Sequence, residues 1–533
     1  MRKLASLFLF LSLCLAAPAM AQTLEELVPQ LPKGNYSDRE TVVREIAATG
    51  DERAAPVLRA LGDRELQVRK SDSAVVIVTG RRGSQTATDP LTGADLGPVE
   101  RRSTEAIKIN NGLRRVIKAA LGTLNLTNPD PVRRLSAANA AFKTPDPDQL
   151  EAIDIALGVE KDPGVARALE EARARTLLET EAPVADRVDA IKTVAARGGS
   201  EALAALGAYR NSPEPEIALA AEAGITHVER ARAMWAQVQN IWFGLSLGSV
   251  LLLAAVGLAI TFGVMGVINM AHGELIMIGA YTTFLVQDVI REHAQGLFDY
   301  SLLIATPAAF LVAGAIGVGI ERGIVRHLYG RPLETLLATW GVSLLLQQTV
   351  RTIFGPTNQE VGNPSWMSGA FQFGEMTVTW NRFYIIIFAV VVFLGLLTLL
   401  RRTALGLQMR AVTQNRAMAA EMGIPTGRVD ALTFGLGAGI AGLAGVALSQ
   451  IDNVSPNLGQ SYIIDSFLVV VFGGAGNLWG TFAAAFSLGI ANKFLEPWAG
   501  AVLGKILILV FIILFIQKRP RGLFPQRGRA VES

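Results

Sequence analysis

The second half of the chain contains long stretches nearly free of charge, and this feature limits the fold most. From Trp242 onward, apolar runs follow one another at roughly 242–264, 275–288, 302–320, 335–354, 383–400, 431–449 and 501–517. Several approach the ~20 residues with which an α-helix crosses about 30 Å of hydrocarbon, and the shorter ones need flanking residues to complete a crossing. An uncharged tract at 467–492 is interrupted by Gly473-Gly474-Ala475-Gly476-Asn477, so it reads as a re-entrant pair or as two tilted helices. Backbone polar groups in lipid must be satisfied within the segment. This half is therefore expected to be an all-α polytopic bundle of about 7–9 spans over 241–517.

The first half differs. Half of the whole sequence is hydrophobic and 18% is charged, but before about Arg232 charged and small residues alternate, as in a helical domain outside lipid. The opening "MRKLASLFLFLSLCLAAPAMAQ" has Arg2 and Lys3, a short apolar core and Ala19-Met20-Ala21, the three-part pattern of a signal peptide over 1–21. The sole cysteine, Cys14, would leave with it, which excludes disulfides and cysteine-ligated metals from the mature chain. Residues 22–235 then form an exported, mostly helical extension. "DRETVVREIAATGDERAAPVLRALGDRE" and "VADRVDAIKTVAARGGSEALAALGAYRNSPEPEIALAAEAGITHVER" read as short amphipathic helix pairs resembling HEAT-like repeats; an irregular helical bundle is the alternative. Between them "SAVVIVTG" and "TATDPLTGADLGP" predict a small β-hairpin insertion. No metal cluster, nucleophile–base pair or phosphate loop is visible here, which favours docking over catalysis. A net charge of +3 gives no reason to expect nucleic acid.

Charge placement orients the bundle. With the extension exported, counting crossings puts Arg322, Arg326 and Arg331 inside. Arg401, Arg402, Arg410 and Arg416 fall inside as well, with Lys518, Arg519, Arg521, Arg527 and Arg529 of the basic tail 518–533. The external loops keep only Arg291, Arg351, Arg382 and Lys493. This is the asymmetry that insertion imposes. It requires 242–288 to cross twice and 451–500 to make no net crossing. Between Trp242 and Gln287, His272 and Glu274 are the only Asp, Glu, Lys, Arg or His. A charge at mid-bilayer costs at least about 2.5–3.5 kcal/mol, so "NMAHGE" is expected to be a turn near the inner face or a broken helix. It either lines a polar gate or is a satisfied turn, with Asn269 capping and Glu274 favoured by the helix dipole. "GAGIAG" at Gly437–Gly442 fits a dinucleotide fingerprint but lies inside a span, where its glycines serve helix packing. "GAVLGK", ending at Lys505, lacks the spacing of a phosphate loop.

The segment from Leu405 to Met422 is amphipathic and helix-like, and Gly423 and Pro425 stop it. Such a helix between two spans can receive a push from a cytoplasmic partner. "AAEMGI", Ala419–Ile424, resembles the coupling-loop signature of ABC importer permeases, with Glu-Met in place of the usual Ala-rich doublet around Glu421. "GVINMAHGELIMIGAY", "GGAGNLWGTFAAAFSLG" and "RPRGLF" resemble, in order, stretches of branched-chain amino acid-type permeases, covering about 241–524. The extension is similar to that of urea-importing permeases, a branch of this family. The resemblance implies a non-catalytic subunit in the inner membrane, with its N-terminal domain periplasmic and its C-terminus cytoplasmic. It implies a second related permease, two ATPase subunits that use the ATP, a periplasmic binding protein and urea as substrate. No cofactor or metal is implied for this chain. The resemblance places ATPase coupling in loop 401–430, at Arg410, Arg416, Ala420, Glu421, Gly423 and Pro425. A urea path needs neutral hydrogen-bonding partners, for which Thr261, Asn269, Gln347, Gln348, Thr349 and Asn477 are candidates beside His272 and Glu274. A branched-chain amino acid or short-chain amide permease is the alternative within the family; a membrane sensor or a channel is the alternative outside it.

Overall fold

The computed structural model describes residues 23–524 except 52, 81–84 and 100–102. The expected signal peptide with Cys14, and Arg527 and Arg529 of the tail, lie outside the described residues. The chain divides at Arg232 into two compact units.

In the N-terminal unit three helices, α1 (Leu24–Leu27), α2 (Tyr36–Ala48) and α3 (Ala54–Gly62), precede five short strands, β1 (Leu66–Arg69), β2 (Val75–Thr79), β3 (Thr86–Thr88), β4 (Asp95–Pro98) and β5 (Thr104–Ala106). Six helices follow: α4 (Asn111–Leu126), α5 (Pro131–Lys143), α6 (Leu150–Val159), α7 (Pro163–Leu177), α8 (Val184–Arg197) and α9 (Gly199–Gly207). Asn35, Asn110, Asp130 and Asp162 cap α2, α4, α5 and α7 through backbone N–H groups, and Pro131 and Pro163 occupy first-turn positions. The strands correct the hairpin expectation. They form one antiparallel sheet in the order β4-β3-β2-β1-β5, with Val68 opposite Val75 and Glu105. The alternation that buries Val76 and Val78 is visible in sequence. The added strands "LQVR" and "TEA" are too short and polar to announce themselves.

The helix α10 (Pro215–Met265) contains the unit boundary. The membrane unit continues with α11 (His272–His293), α12 (Ser301–Gly323), α13 (Pro332–Phe354), a two-stranded ribbon of β6 (Ala370–Phe373) and β7 (Met376–Thr379), and α14 (Trp380–Arg402). After these come α15 (Ala404–Gln414), α16 (Arg416–Glu421), α17 (Thr426–Leu448), α18 (Leu458–Gly473) and α19 (Leu478–Lys518). Among the described residues, 6 helices are long and apolar enough to cross a membrane: α10, α11, α12 with its leading turn from Gln295, α14, α17 and α19. That is fewer than the 7–9 expected, for a physical reason: α13 has the length at 23 residues but a polar stripe along it, and α18 has only 16. The interrupted tract at 467–492 is a pair of helices, α18 and the first arm of α19, hinged at 474–477; Gly500, at φ +79°, then breaks α19 into two.

α17 is the core of this unit and is buried along most of its length. Its glycines allow backbones to meet. A Cβ on Gly442 would lie 2.6 Å from the Ala309 carbonyl oxygen, and one on Gly437 would lie 2.7 Å from the Gly257 oxygen. A Cβ on Gly279 of α11 would collide with the Gly442 carbonyl. Close approach through small residues is how helices associate where lipid removes the hydrophobic drive, and the "GAGIAG" glycines do this.

The expected single amphipathic helix over 405–422 is two, α15 and α16. Asn415 interrupts it, adopting extended backbone and accepting from the Met418 N–H at 2.9 Å.

Candidate functional site

Residues 266–271 form a non-helical break between α10 and α11, and the polar residues of "NMAHGE" are wholly buried there. Asn269 Oδ1 accepts from the Ala271 N–H at 3.0 Å, just ahead of α11. His272 lies against α10, its Nε2 2.8 Å from the Ala254 carbonyl. A carbonyl only accepts, so Nε2 carries the proton. Glu274 Oε1 accepts from Ser343 Oγ at 3.0 Å.

Ser343 belongs to a stripe on α13. Thr335, Thr339, Ser343, Gln347 and Arg351 recur every fourth residue and share one face. Thr339 Oγ1 accepts from the Met270 N–H at 3.2 Å, and Gln347 Nε2 donates to Asn457 Oδ1 at 2.8 Å. Arg351 Nη2 reaches the same Asn457 oxygen at 2.9 Å. The break, the first turn of α11 and this stripe form a buried polar seam. Within it Asn269 Nδ2 and Glu274 Oε2 have no protein partner, nor has His272 Nδ1 on the α10 side of the same helix. Buried polar atoms are rarely left so, and a small solute able both to donate and to accept could meet them. No group of His, Cys, Asp or Glu among the described residues could hold a metal ion.

The structure brings Asn269, Glu274 and Gln347 to this seam, whereas His272, two residues before Glu274 on the same helix, faces α10 at Ala254 and Gly257. Thr261 is buried elsewhere, beside Gly437, with its hydroxyl on the Leu258 carbonyl at 3.0 Å. Gln348 and Thr349 lie on the exposed face of α13. Asn477 caps α19, accepting from Trp479 N at 3.1 Å, and shares a cavity with Arg401 and Arg410 rather than with Glu274. Sequence reading missed Thr339, Ser343 and Asn457; the four-residue recurrence on α13 was the signal for the first two.

In loop 401–430, Arg416 pairs with Asp430, which is fully buried at the start of α17, and its guanidinium carbon lies 4.4 Å from the Tyr329 ring centroid. Burial, reinforced by the Asp430 charge, pushes the Tyr329 hydroxyl pKa upward, so it stays protonated. Arg410 donates to the Leu400 carbonyl. Ala420, Glu421, Gly423 and Pro425 are exposed, and Gly423 turns the chain at φ +86°. Arg416 thus ties α16 to α17 while Ala420–Gly423 face outward, with Ala419 buried and Ile424 half-buried beneath them.

A helical bundle with a buried polar seam and a braced loop whose tip is exposed fits a membrane permease. Residues 240–516 match the family model described as branched-chain amino acid transport system / permease component, and the chain belongs to that family. It is 30% identical over 293 residues to the high-affinity branched-chain amino acid transport system permease protein BraD of Pseudomonas aeruginosa, covering 54% of this chain and 95% of that protein. To LivH of Escherichia coli K12 it is 31% identical over 295 residues, covering 54% and 94%. LivM of the same organism is 24% identical, covering 52% and 69%. No solved structure matches the chain significantly.

Proposed function

We propose that the chain is the permease subunit of an ATP-driven importer in the inner membrane and that its substrate is urea. One observation supports urea in particular: Glu274 is buried on a serine, and no basic side chain pairs with it among the described residues. A zwitterionic amino acid would call for an acid and a base at the same depth. Urea, neutral and rich in donors and acceptors, would suit the unpartnered Asn269 Nδ2 and Glu274 Oε2. The likeness to BraD and LivH favours the second reading, a branched-chain amino acid permease. Uptake of labelled urea by the complex reconstituted with its neighbouring subunits, with and without excess leucine, separates the two. Leucine-insensitive urea uptake supports the first; leucine uptake without urea uptake refutes it.

In this reading a second permease completes the path, two ATPase subunits grip Ala420–Pro425 from the cytoplasm, and a binding protein delivers substrate from the periplasm. Residues 22–235 are the exported extension, stacked in HEAT-like fashion, and dock that binding protein. Deleting them should weaken its capture; intact capture and uptake would refute the docking role.

A further inference from the structure

At the end of the membrane unit that carries loop 401–430, a cavity of ≈ 500 Å³ lies between α10, α14, α15 and the 474–477 turn. That volume is in the range of small-molecule sites. Its body is apolar, formed by Ile260 and Val264, Leu397 and Leu400, and Met409. Arg401 and Arg410 stand at its edge with Trp479, and no acidic residue lines it. Both arginines are exposed. Among the described residues neither makes an ion pair, and Arg410 gives only a hydrogen bond, to the Leu400 carbonyl.

We propose that this cavity is a binding site for an anionic phospholipid of the cytoplasmic leaflet. The phosphate would sit between Arg401 and Arg410, and an acyl chain would run along Ile260, Val264 and Leu397. Each half of the cavity excludes a simpler ligand. A free phosphate leaves the apolar walls unmet, and a small neutral solute leaves two guanidiniums unmet. A zwitterionic headgroup brings an ammonium that finds no carboxylate. Basic pockets between spans on the cytoplasmic side suit anionic headgroups, and an indole at the edge suits the membrane interface. One face of α15, carrying Gly406, Met409, Arg410 and Thr413, borders the cavity. The lipid would therefore support α15 from the membrane side and leave Ala420 and Glu421 of α16 free. This assignment does not depend on which solute is transported.

Native mass spectrometry of the purified full-length chain tests it, with phosphatidylglycerol, phosphatidylethanolamine and inorganic phosphate as probes. One phosphatidylglycerol should be retained, and R401Q/R410Q should weaken it about thirtyfold, as expected for two basic side chains near a headgroup. Ala259→Trp, which fills the body and keeps both arginines, should also expel it. R331Q/R428Q, which removes basic side chains away from the cavity, should not. The proposal is overturned if phosphatidylethanolamine is held as firmly, if inorganic phosphate competes at equal concentration, or if R331Q/R428Q loses as much lipid as R401Q/R410Q.

Discussion

Ser343 holds one oxygen of Glu274 at 3.0 Å while the other has no partner, so the two residues should respond differently to substitution. Ser343→Ala leaves both carboxyl oxygens of a buried side chain unpaired. It should lower the stability of the purified permease by about 1–3 kcal/mol, read as a fall in its unfolding midpoint. Glu274→Gln keeps the shape and can still accept from Ser343. It should therefore leave protein level near normal and reduce uptake in the reconstituted complex; undiminished uptake would remove Glu274 from the transport role. Glu274 and His272 were legible in sequence because charge stands out in an apolar run. Ser343 and Thr339 were legible only through their four-residue spacing, because hydroxyls in such helices commonly bond the carbonyl four residues back, as Thr349, Thr352 and Thr398 do. Composition cannot separate a hydroxyl facing its own backbone from one facing a carboxylate.

Between elements, contact depends on absent side chains as much as on present ones. A Cβ on Gly279 would meet the Gly442 carbonyl, whereas one on Gly341 of α13 meets nothing within 4 Å. Gly442→Leu should therefore cost at least about 1–3 kcal/mol of overpacking and broaden the permease peak in size-exclusion chromatography. Gly341→Leu should leave it unchanged, and equal behaviour of the two would contradict the packing of α12 on α17, where a Cβ on Gly442 meets the Ala309 carbonyl. The same reasoning applies to Arg416. Arg416→Ala strands Asp430, which is 0% exposed. With the arginine partly in solvent, the loss should be about 1–3 kcal/mol, seen as a lower melting temperature of the complex. The spacing of glycines in α17 was readable before the structure, and so was the stop at Gly423 and Pro425. The division of 405–422 into two helices was not. Asn415 sits within a helical pattern, and only its side chain bonding to the Met418 N–H makes it a cap.

Charge patterning changes near Arg232 in the sequence, and the structure divides into two compact units at Arg232. The number of spans was harder to read, because α13 trades apolarity for its polar stripe and α19 joins two helices across Gly500. The N-terminal unit carries its own titratable brace. Arg134 Nε meets Glu160 Oε2 at 2.6 Å, joining the start of α5 to the residue after α6, and the Glu160 side chain is 3% exposed. The Arg134 hydrogen bonds, helped by the backbone N–H groups of Asp162 and Lys161, outweigh burial and lower the Glu160 pKa from 4.5 to about 2. A depressed folded-state pKa means that the unfolded chain takes up the proton first as the medium acidifies. The contribution is complete above the unfolded value and disappears as pH falls through the folded one. Hydrogen exchange of amides in Asp130–Val165 of the full-length chain should therefore be flat in protection above pH 4.5 and should lose protection toward pH 2. Glu160→Gln should lower the plateau and flatten that slope, while amides of α8 and α9 keep theirs. If the substituted chain retains the slope, the acid sensitivity belongs to other carboxylates and the Arg134–Glu160 brace does not carry it.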